Sequence, residues 1–427
     1  MNLSKFILNA SGFPMVKAER ELSAIQSLSV DAFAEWQERK RWEIARFHFD
    51  NNEYYRTKVG KYFPSNWQDL PVITKQDLQQ PVQKLLTRGL RLDKCYTAFT
   101  SGSSGVPMYF AKDTFAHAMT WALIANRYSW HGLKLGDKQA RFTVMPNNEK
   151  RRRKEVLKDK LMNRVRCNVF DLSEAALTKY LHLFQVNKFR YVYGYTSALV
   201  AFARFLESQN IVLKEVCPTL SLCISTSELV TPRQAQLLEQ WMGIKHVREY
   251  GASETCITGF DDKDGDFILT AETLYNEIEE GDNSGTILTT SLYNKAFPMV
   301  KYQLGDDVTL GERRKGIYQI IAQMNGRSND MIHLPEGKTT SPMMIDYVIA
   351  GLVAKTNVLK EYVARQTAID TFVFEMVTER PLNDDEVRLL IEQAESYLAK
   401  GICVEIKYTD KIVRPASGKQ RFFYSEL

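Results

Sequence analysis

The spacing of hydrophobic and polar positions changes along the chain, and each change predicts a different kind of structure. Residues 15–60 carry apolar side chains at helical spacing among Glu, Arg and Lys, and Thr74 is placed to cap a further helix. Residues 114–130 predict a long helix with much apolar surface. Residues 191–193 and 220–224 are short apolar runs, typical of buried strands, between other helical stretches. This alternation predicts a layered α/β core with parallel strands.

The pattern differs in the last third of the chain. Residues 285–291 and 299–302 read as short strands among Gly and Asp turns, which indicates a smaller β-rich subdomain beside the α/β core. Past Arg327, helices and strands alternate over roughly 100 residues, enough for a small α+β domain. We therefore predict an N-terminal domain of residues 1–326 and a C-terminal domain of residues 327–427.

Composition narrows the class of protein. A chain of 427 residues exceeds one ordinary hydrophobic core, and 44% hydrophobic with 25% charged residues is usual for a globular enzyme. The net charge of +5 argues against nucleic acid as the main partner. No apolar run is long enough to cross a membrane, and a secretory signal pattern is absent. Six cysteines without a Cys-x-x-Cys pair suit free thiols, so we expect a cytoplasmic protein without structural zinc.

A loop of small residues follows the strand-like run at 96–99. Glycine lets backbone N–H groups converge on an anion, and serine and threonine hydroxyls add donors without bulk. The loop is not a Walker motif, because no Gly-Lys-Ser/Thr follows it, and a flexible surface turn would have the same composition. As a phosphate-binding loop it would use Thr100, Ser101, Gly102, Ser103, Ser104 and Gly105.

Four more motifs follow in order, and each by itself is weakly specific. They are Tyr250-Gly251-Ala252-Ser253-Glu254-Thr255, Tyr302-Gln303-Leu304-Gly305-Asp306-Asp307, Gly326-Arg327-Ser328-Asn329-Asp330 and Pro415-Ala416-Ser417-Gly418-Lys419-Gln420-Arg421. Together with the loop, the series resembles the adenylate-forming superfamily of acyl-CoA synthetases, adenylation domains and luciferases. Passages at 70–75, 193–199 and 289–302 are similar to the phenylacetate–CoA ligase branch and its CapK-like relatives. The resemblance covers nearly the whole chain.

The resemblance implies the fold predicted above, with a mobile C-terminal domain, and an AMP-forming ligase. Such an enzyme uses ATP and Mg²⁺ to convert a carboxylic acid into an acyl-adenylate, which coenzyme A then attacks. Glu254 matches the metal-binding glutamate, although a surface glutamate after a glycine turn would look the same. Tyr250 would pack on the adenine, and Gly251, Ala252 and Ser253 would line the nucleotide.

The other matched residues complete this implied site. Asp306 matches the ribose-binding aspartate, and a carboxylate can accept from two vicinal hydroxyls. Arg327 offers a planar fork of donors to ribose or phosphate oxygens. Lys419 matches the lysine that bridges the substrate carboxylate and the α-phosphate, although a terminal basic turn is ordinarily only solvated. Tyr195 and Ser197 match the region of the acid pocket.

The chain departs from the family pattern in ways that keep alternatives open. Val106 or Met108 stands where many relatives carry a loop lysine, and Asn329 occupies the hinge position usually held by Asp or Lys. These departures support the alternative hypothesis that the protein binds a nucleotide but does not catalyse a reaction. CapK-like relatives also suggest a role in surface polysaccharide synthesis, with the amine of a sugar as acceptor. The basic run at 149–154 is typical of a solvated helix face, or of a surface for an acidic partner. Aromatic richness suits a bulky apolar acid and core packing equally.

Overall fold

The computed structural model of the chain describes residues 3–100, 108–145, 149–279, 281, 283–314, 317–327, 332–337, 339–340, 342–353, 356, 358–413 and 421–427. Only the backbone is described for residues 3, 151, 314, 327, 339, 343, 346, 350 and 353. The chain divides into two compact units. Unit 1 comprises Met1–Leu304 and Leu310–Ala322, and unit 2 comprises Gly305–Thr309 and Gln323–Leu427.

Helices and strands alternate through most of the described chain. The α-helices are α1 (Leu3–Ala10), α2 (Met15–Gln26), α3 (Val30–Asn51), α4 (Glu53–Val59), α5 (Val82–Leu85), α6 (Thr114–Ser129), α7 (Glu149–Leu161), α8 (Glu174–Val186), α9 (Thr196–Ser208), α10 (Leu213–Val216), α11 (Pro232–Met242), α12 (Met343–Val353) and α13 (Asp384–Tyr397). The strands between residues 96 and 291, all in unit 1, are β1 (Tyr96–Phe99), β2 (Tyr109–Lys112), β3 (Gln139–Thr143), β4 (Arg164–Asn168), β5 (Tyr191–Tyr195), β6 (Leu222–Thr226), β7 (Lys245–Ala252), β8 (Cys256–Asp261), β9 (Phe267–Leu269), β10 (Leu274–Ile278) and β11 (Ser284–Ser291). The later strands are β12 (Tyr302–Arg314), β13 (Tyr318–Arg327), β14 (Ile332–His333), β15 (Thr339–Thr340), β16 (Leu359–Ala368), β17 (Thr371–Thr378), β18 (Cys403–Tyr408) and β19 (Phe423–Ser425).

The predicted parallel core forms the centre of unit 1. Strands β4, β3, β5, β6 and β7 lie side by side in this order and are parallel, within a larger sheet that continues through antiparallel β8 and β9. Helices α8, α9 and α11 bury apolar side chains such as Phe184, Phe202 and Met242 against one face. On the other face, Leu123 and Tyr128 of α6 pack in a second apolar cluster with the strands. The layered α/β fold predicted from the sequence is thus confirmed.

Local sequence explains where α6 begins. The side chain of Asp113 accepts hydrogen bonds from the backbone N–H groups of Phe115 and Ala116, each at 3.0 Å, and so caps the helix. The helix predicted to begin at Thr74 is wrong, because the residues that follow it, 75–78, form only a turn. In that turn Oγ1 of Thr74 accepts from the N–H of Asp77 at 3.2 Å, and the helix does not continue.

The expected β-rich part of unit 1 is also present. Strands β10 and β11 are antiparallel, and β12 and β13 stand next to them in the sheet order. The strand predicted at 299–302 begins only at Tyr302, because Lys301 has a φ of 47° and breaks the extended backbone. No helix of the described residues is both long and apolar enough to cross a bilayer.

Unit 2 has its own core. Its four-stranded sheet has the order β18-β17-β16-β19, with β16 and β17 antiparallel and the two outer pairs parallel. Apolar side chains of α12 and α13, including Leu352 and Leu390, pack with Phe372 and Phe374 of β17. The helices therefore cover one face of the sheet, which is the small α+β arrangement expected for this part of the chain.

Candidate active site

The predicted phosphate loop is carried by a β-hairpin. Strands β1 and β2 are antiparallel, with Phe99 opposite Tyr109. Thr100 closes the base of the loop: its N–H donates to the carbonyl of Met108 at 2.9 Å, and its Oγ1 accepts from the N–H of Met108 at 3.0 Å. Thr100 thus holds the two ends of the loop together. The loop residues Ser101, Gly102, Ser103, Ser104 and Gly105 lie outside the described residues.

The second motif forms a tight turn between β7 and β8. Ala252 pairs with Cys256 across this turn, and Cys256 has a φ of 73°. Gly251 is required here, because a Cβ at this position would lie 2.0 Å from the carbonyl oxygen of Cys256. Tyr250 lies in β7 just before this turn, and Ser253 is in the turn itself. The backbone therefore leaves no room for a side chain at Gly251 and fixes the position of the residues that follow.

Glu254 is held in place from inside the protein. Its side chain is 6% exposed, and the hydroxyl of Tyr302 donates to Oε1 at 3.0 Å. The same hydroxyl lies 4.0 Å from Sδ of Met108 at the base of the loop. Tyr302 thus joins the loop hairpin to the turn that carries Glu254, although the two motifs are far apart in sequence. Our sequence reasoning quoted Tyr302 only as part of a motif and gave it no role.

A buried lysine lies near this carboxylate. Lys112 of β2 is 5% exposed, and its Nζ has one long hydrogen bond, to Oγ1 of Thr120 at 3.4 Å. Among the described residues no carboxylate lies within 4.0 Å of this Nζ. Burial lowers the pKa of Lys112, while Cys256 and then Glu254 act electrostatically in the opposite direction. Sequence reasoning missed Lys112, which lies four residues beyond Met108 in a strand that otherwise reads as core.

The residues expected near the acid are placed at the start of α9. Tyr195 is the last residue of β5 and is half-buried. The carboxylate of Glu228 accepts from the N–H of Ser197 at 2.6 Å and from its hydroxyl at 3.0 Å. The hydroxyl of Thr196 donates to the carbonyl of Glu228 at 3.1 Å. Glu228 therefore stabilises the first turn of the helix, where its negative charge suits the helix dipole.

The other matched residues belong to unit 2 and are described by themselves. Asp306 lies in β12 after Gly305, which has a φ of 77°. Arg327 is the last residue of β13, with only its backbone described. Asn329 and Lys419 lie outside the described residues. The roles of these four residues remain predictions.

The side chains around Glu254 suit a magnesium ion that is bound partly by substrate better than a metal ion bound only by protein side chains. Among the described residues, no group of three or more His, Cys, Asp or Glu side chains could hold a metal ion. Mg²⁺ is usually bound by one or two carboxylates and completes its shell with water and phosphate oxygens. A single buried carboxylate, Glu254, next to a phosphate-loop hairpin fits this pattern.

Unit 2 contains a basic hollow on its sheet. Arg365 lies 3.5 Å from Glu375, and its guanidinium is 4.9 Å from the ring centre of Tyr424. Lys407 and Lys411 add positive charge around the carboxylate of Glu375, and a second carboxylate, that of Glu426, lies 3.5 Å from Arg365. The lining is completed by Val363, Thr409, Ile412 and Val413. The hollow therefore combines an excess of cations with an aromatic face.

Known proteins are similar to this chain over most of its length. No family model matches it. Protein CapK from Staphylococcus aureus is 21% identical over 412 residues, which are 92% of this chain and 89% of that protein. A structure of 2-hydroxyisobutyryl-CoA ligase, in the postadenylation state with an acyl-AMP, matches with a TM-score of 0.74 at 14% identity over 94% of this chain and 91% of the ligase. ATP-bound MatB from Rhodopseudomonas palustris matches with a TM-score of 0.55 at 16% identity, over 78% and 68% of the two chains. The chain therefore has the fold of the adenylate-forming acyl-CoA ligases, as its motifs predict.

Proposed function

We propose that the protein is an ATP-dependent ligase that activates a carboxylic acid. The substrate carboxylate attacks the α-phosphorus of ATP, and the bond to the β-phosphate oxygen breaks, giving an acyl-adenylate and pyrophosphate. The observation that carries the proposal is the buried Glu254, oriented by Tyr302 beside the hairpin of the Gly/Ser loop. The fold shared with acid–CoA ligases supports the same reaction class.

Residues of unit 1 would bind the polyphosphate. Glu254 would hold Mg²⁺, which when bound neutralises phosphate charge. The Gly/Ser loop would donate hydrogen bonds to the phosphate oxygens, and Thr100 would keep the loop closed. Lys112 would add a positive charge from within the protein, in a chain that lacks the usual loop lysine. Tyr250 would pack on the adenine, as the resemblance implies.

Residues of unit 2 would complete the reaction. By the resemblance, Asp306 binds the ribose hydroxyls, Arg327 binds ribose or phosphate oxygens, and Lys419 stabilises the charge that develops at the α-phosphate. After adenylation the domain of residues 327–427 would turn about Asn329 and remove Lys419 from the site. The acceptor could then reach the acyl-adenylate while water stays excluded.

The acceptor that we favour is the thiol of coenzyme A. The thiolate attacks the acyl carbon, and AMP leaves with the electrons of the broken C–O bond. The basic hollow of unit 2, with Arg365, Lys407 and Lys411 beside the ring of Tyr424, suits the phosphates and adenine of coenzyme A. The likeness to CapK supports a second acceptor, the amine of a sugar, in surface polysaccharide synthesis.

Pyrophosphate exchange into ATP tests the adenylation step. We would measure it across aryl, hydroxy, fatty, amino and dicarboxylic acids. Lys419→Ala and Glu254→Gln should abolish exchange, whereas Lys400→Ala and Glu215→Gln, at exposed positions, should leave it unchanged. Binding of ATP without exchange for any acid would favour the non-catalytic alternative, and would contradict the proposed function.

The acceptor is tested separately. With the best acid, AMP release should require coenzyme A, and Lys407→Ala with Lys411→Ala should raise KM for coenzyme A without changing pyrophosphate exchange. AMP release that occurs with an amino sugar but not with coenzyme A would identify the amine as acceptor. An unchanged KM for coenzyme A in the double variant would show that the hollow does not bind coenzyme A.

A further inference from the structure

Polar and aromatic side chains cluster between α6 and the parallel sheet, outside the nucleotide-binding motifs. The cluster consists of Trp121, Tyr128, Arg141, Arg164, Tyr193 and Glu249. Arg141 of β3 lies opposite Tyr193 of β5, Glu249 is on β7, and each of the three is half-buried. Burial raises the pKa of Glu249, although part of its side chain remains exposed to solvent. Because these side chains lie deep in the protein and still contact solvent, we infer that they line a polar cleft.

Among the residues that the structure describes, no carboxylate directly contacts the cations of this cleft. The hydroxyls of Tyr193 and Tyr128 donate to the carboxylate of Glu249 at 2.8 and 3.2 Å. Arg141 stacks on the ring of Tyr193, with 4.4 Å between the guanidinium and the ring centre, and makes one hydrogen bond, of 3.3 Å, to Gln139. Among the described residues no carboxylate lies within 4.0 Å of this guanidinium.

A second arginine strengthens the positive field. Arg164 of β4 is half-buried, and its described contact is with the ring of Trp121, at 5.9 Å. Burial, together with the charge of Arg141, lowers the pKa of Arg164 to about 10. No described carboxylate lies within 4.0 Å of its guanidinium either. Two cations therefore lie near the carboxylate of Glu249, while Glu155 and Asp159 of α7 are paired with Arg166. Among the described residues, neither of the two guanidiniums has a carboxylate in direct contact.

Donors on these half-buried guanidiniums that have no partner among the described residues would be satisfied by a ligand that accepts hydrogen bonds. An aliphatic chain in this cleft would remove water from both guanidiniums and offer no hydrogen-bond acceptor in return. An anion would accept from the fork of Arg141, because the described contacts of Arg141 use only one of its donors.

We propose that this cleft binds the part of the substrate remote from its reacting carboxylate, and that this part carries a second anionic group, as in a dicarboxylic acid. The inference rests on the proposed adenylation of an acid and names its class. Arg141 and Arg164 determine specificity in this scheme, and Tyr193 orients both Arg141 and Glu249.

Matched pairs of acids test the inference. Malonic, succinic and glutaric acids would be compared with propionic, butyric and valeric acids in pyrophosphate exchange. We expect exchange with a diacid and little with the monoacid of equal length. Arg141→Met should raise KM for that diacid by about 10- to 100-fold with KM for ATP unchanged. Arg164→Met should act in the same direction, and Arg39→Met, at a position 64% exposed, should have no effect.

The outcome is separable from failure of the proposed function. Binding of the diacid would also be measured, as the rise in melting temperature that the diacid causes, with Arg141→Met as the control. Stabilisation of the wild type by the diacid but not of Arg141→Met, without exchange, would retain the cleft and refute adenylation. Preference for monoacids, or an unchanged KM and unchanged diacid binding in Arg141→Met, would overturn the inference. Absence of both exchange and diacid binding would overturn it as well.

Discussion

Replacing Tyr302 by phenylalanine removes one hydroxyl and tests how Glu254 is held. Tyr302 is 1% exposed and donates to Oε1 of Glu254 at 3.0 Å, so the bond is buried and charge-assisted. Such a bond contributes about 1.5–3 kcal/mol, which corresponds to roughly 10- to 150-fold in an equilibrium constant. Without it the carboxylate loses the donor that orients it. We therefore expect Tyr302→Phe to weaken Mg²⁺-dependent ATP binding by up to this factor.

The control is a second tyrosine in an equivalent bond. The hydroxyl of Tyr318 donates to Oε1 of Glu272 at 2.9 Å, elsewhere in unit 1. Tyr318→Phe should lower the melting temperature by a similar amount and leave the magnesium dependence unchanged. Magnesium would be titrated both in pyrophosphate exchange and in ATP binding by calorimetry. If Tyr302→Phe loses stability but keeps the wild-type magnesium dependence in both assays, Tyr302 only packs and the reasoning fails.

Three further substitutions probe the backbone and the buried charges. Gly251→Ala should abolish exchange, because its Cβ would lie 2.0 Å from a carbonyl oxygen, whereas Gly311→Ala, with neighbours no nearer than 3.5 Å, should be tolerated in activity and melting temperature. Arg127→Met should cost about 3–5 kcal/mol, since it leaves the fully buried Glu272 without its cation. Arg127 lowers the pKa of Glu272 from 4.5 to about 2, so this stabilisation is present above pH 4.5 and is lost as the pH falls towards 2. Melting curves of wild type and Arg127→Met should therefore converge in acid, and a constant difference would contradict the assignment. Lys112→Met should keep or raise the melting temperature, because it removes a buried charge that has no carboxylate partner among the described residues, while exchange falls; full activity would exclude Lys112 from the site.

Some features could be predicted from sequence because they depend on neighbours in the chain. The periodicity of residues 114–130 and the cap at Asp113 define α6, and the apolar runs at 191–193 and 220–224 define the centres of β5 and β6. The predicted helix at Thr74 is wrong because a capping side chain does not distinguish a helix from a turn. In both, its oxygen accepts from the backbone N–H three residues later, as Thr74 does from Asp77.

The contacts that build the candidate site could not be predicted, because they join residues distant in sequence. Tyr302 and Glu254 are 48 residues apart, and Arg127 and Glu272 are 145 apart. Their meeting depends on the order of strands in the sheet, where β13 lies between β12 and β9, and no local pattern encodes that order. Arg141 likewise looks like an ordinary strand residue until β3 is placed beside β5, under α6. The sequence by itself determined the elements, the motifs and the class of fold, since these follow from local periodicity and residue chemistry. Only the tertiary structure decided which charges are buried, which of them are paired and which remain for a ligand, because burial and pairing are set by distant segments that pack together.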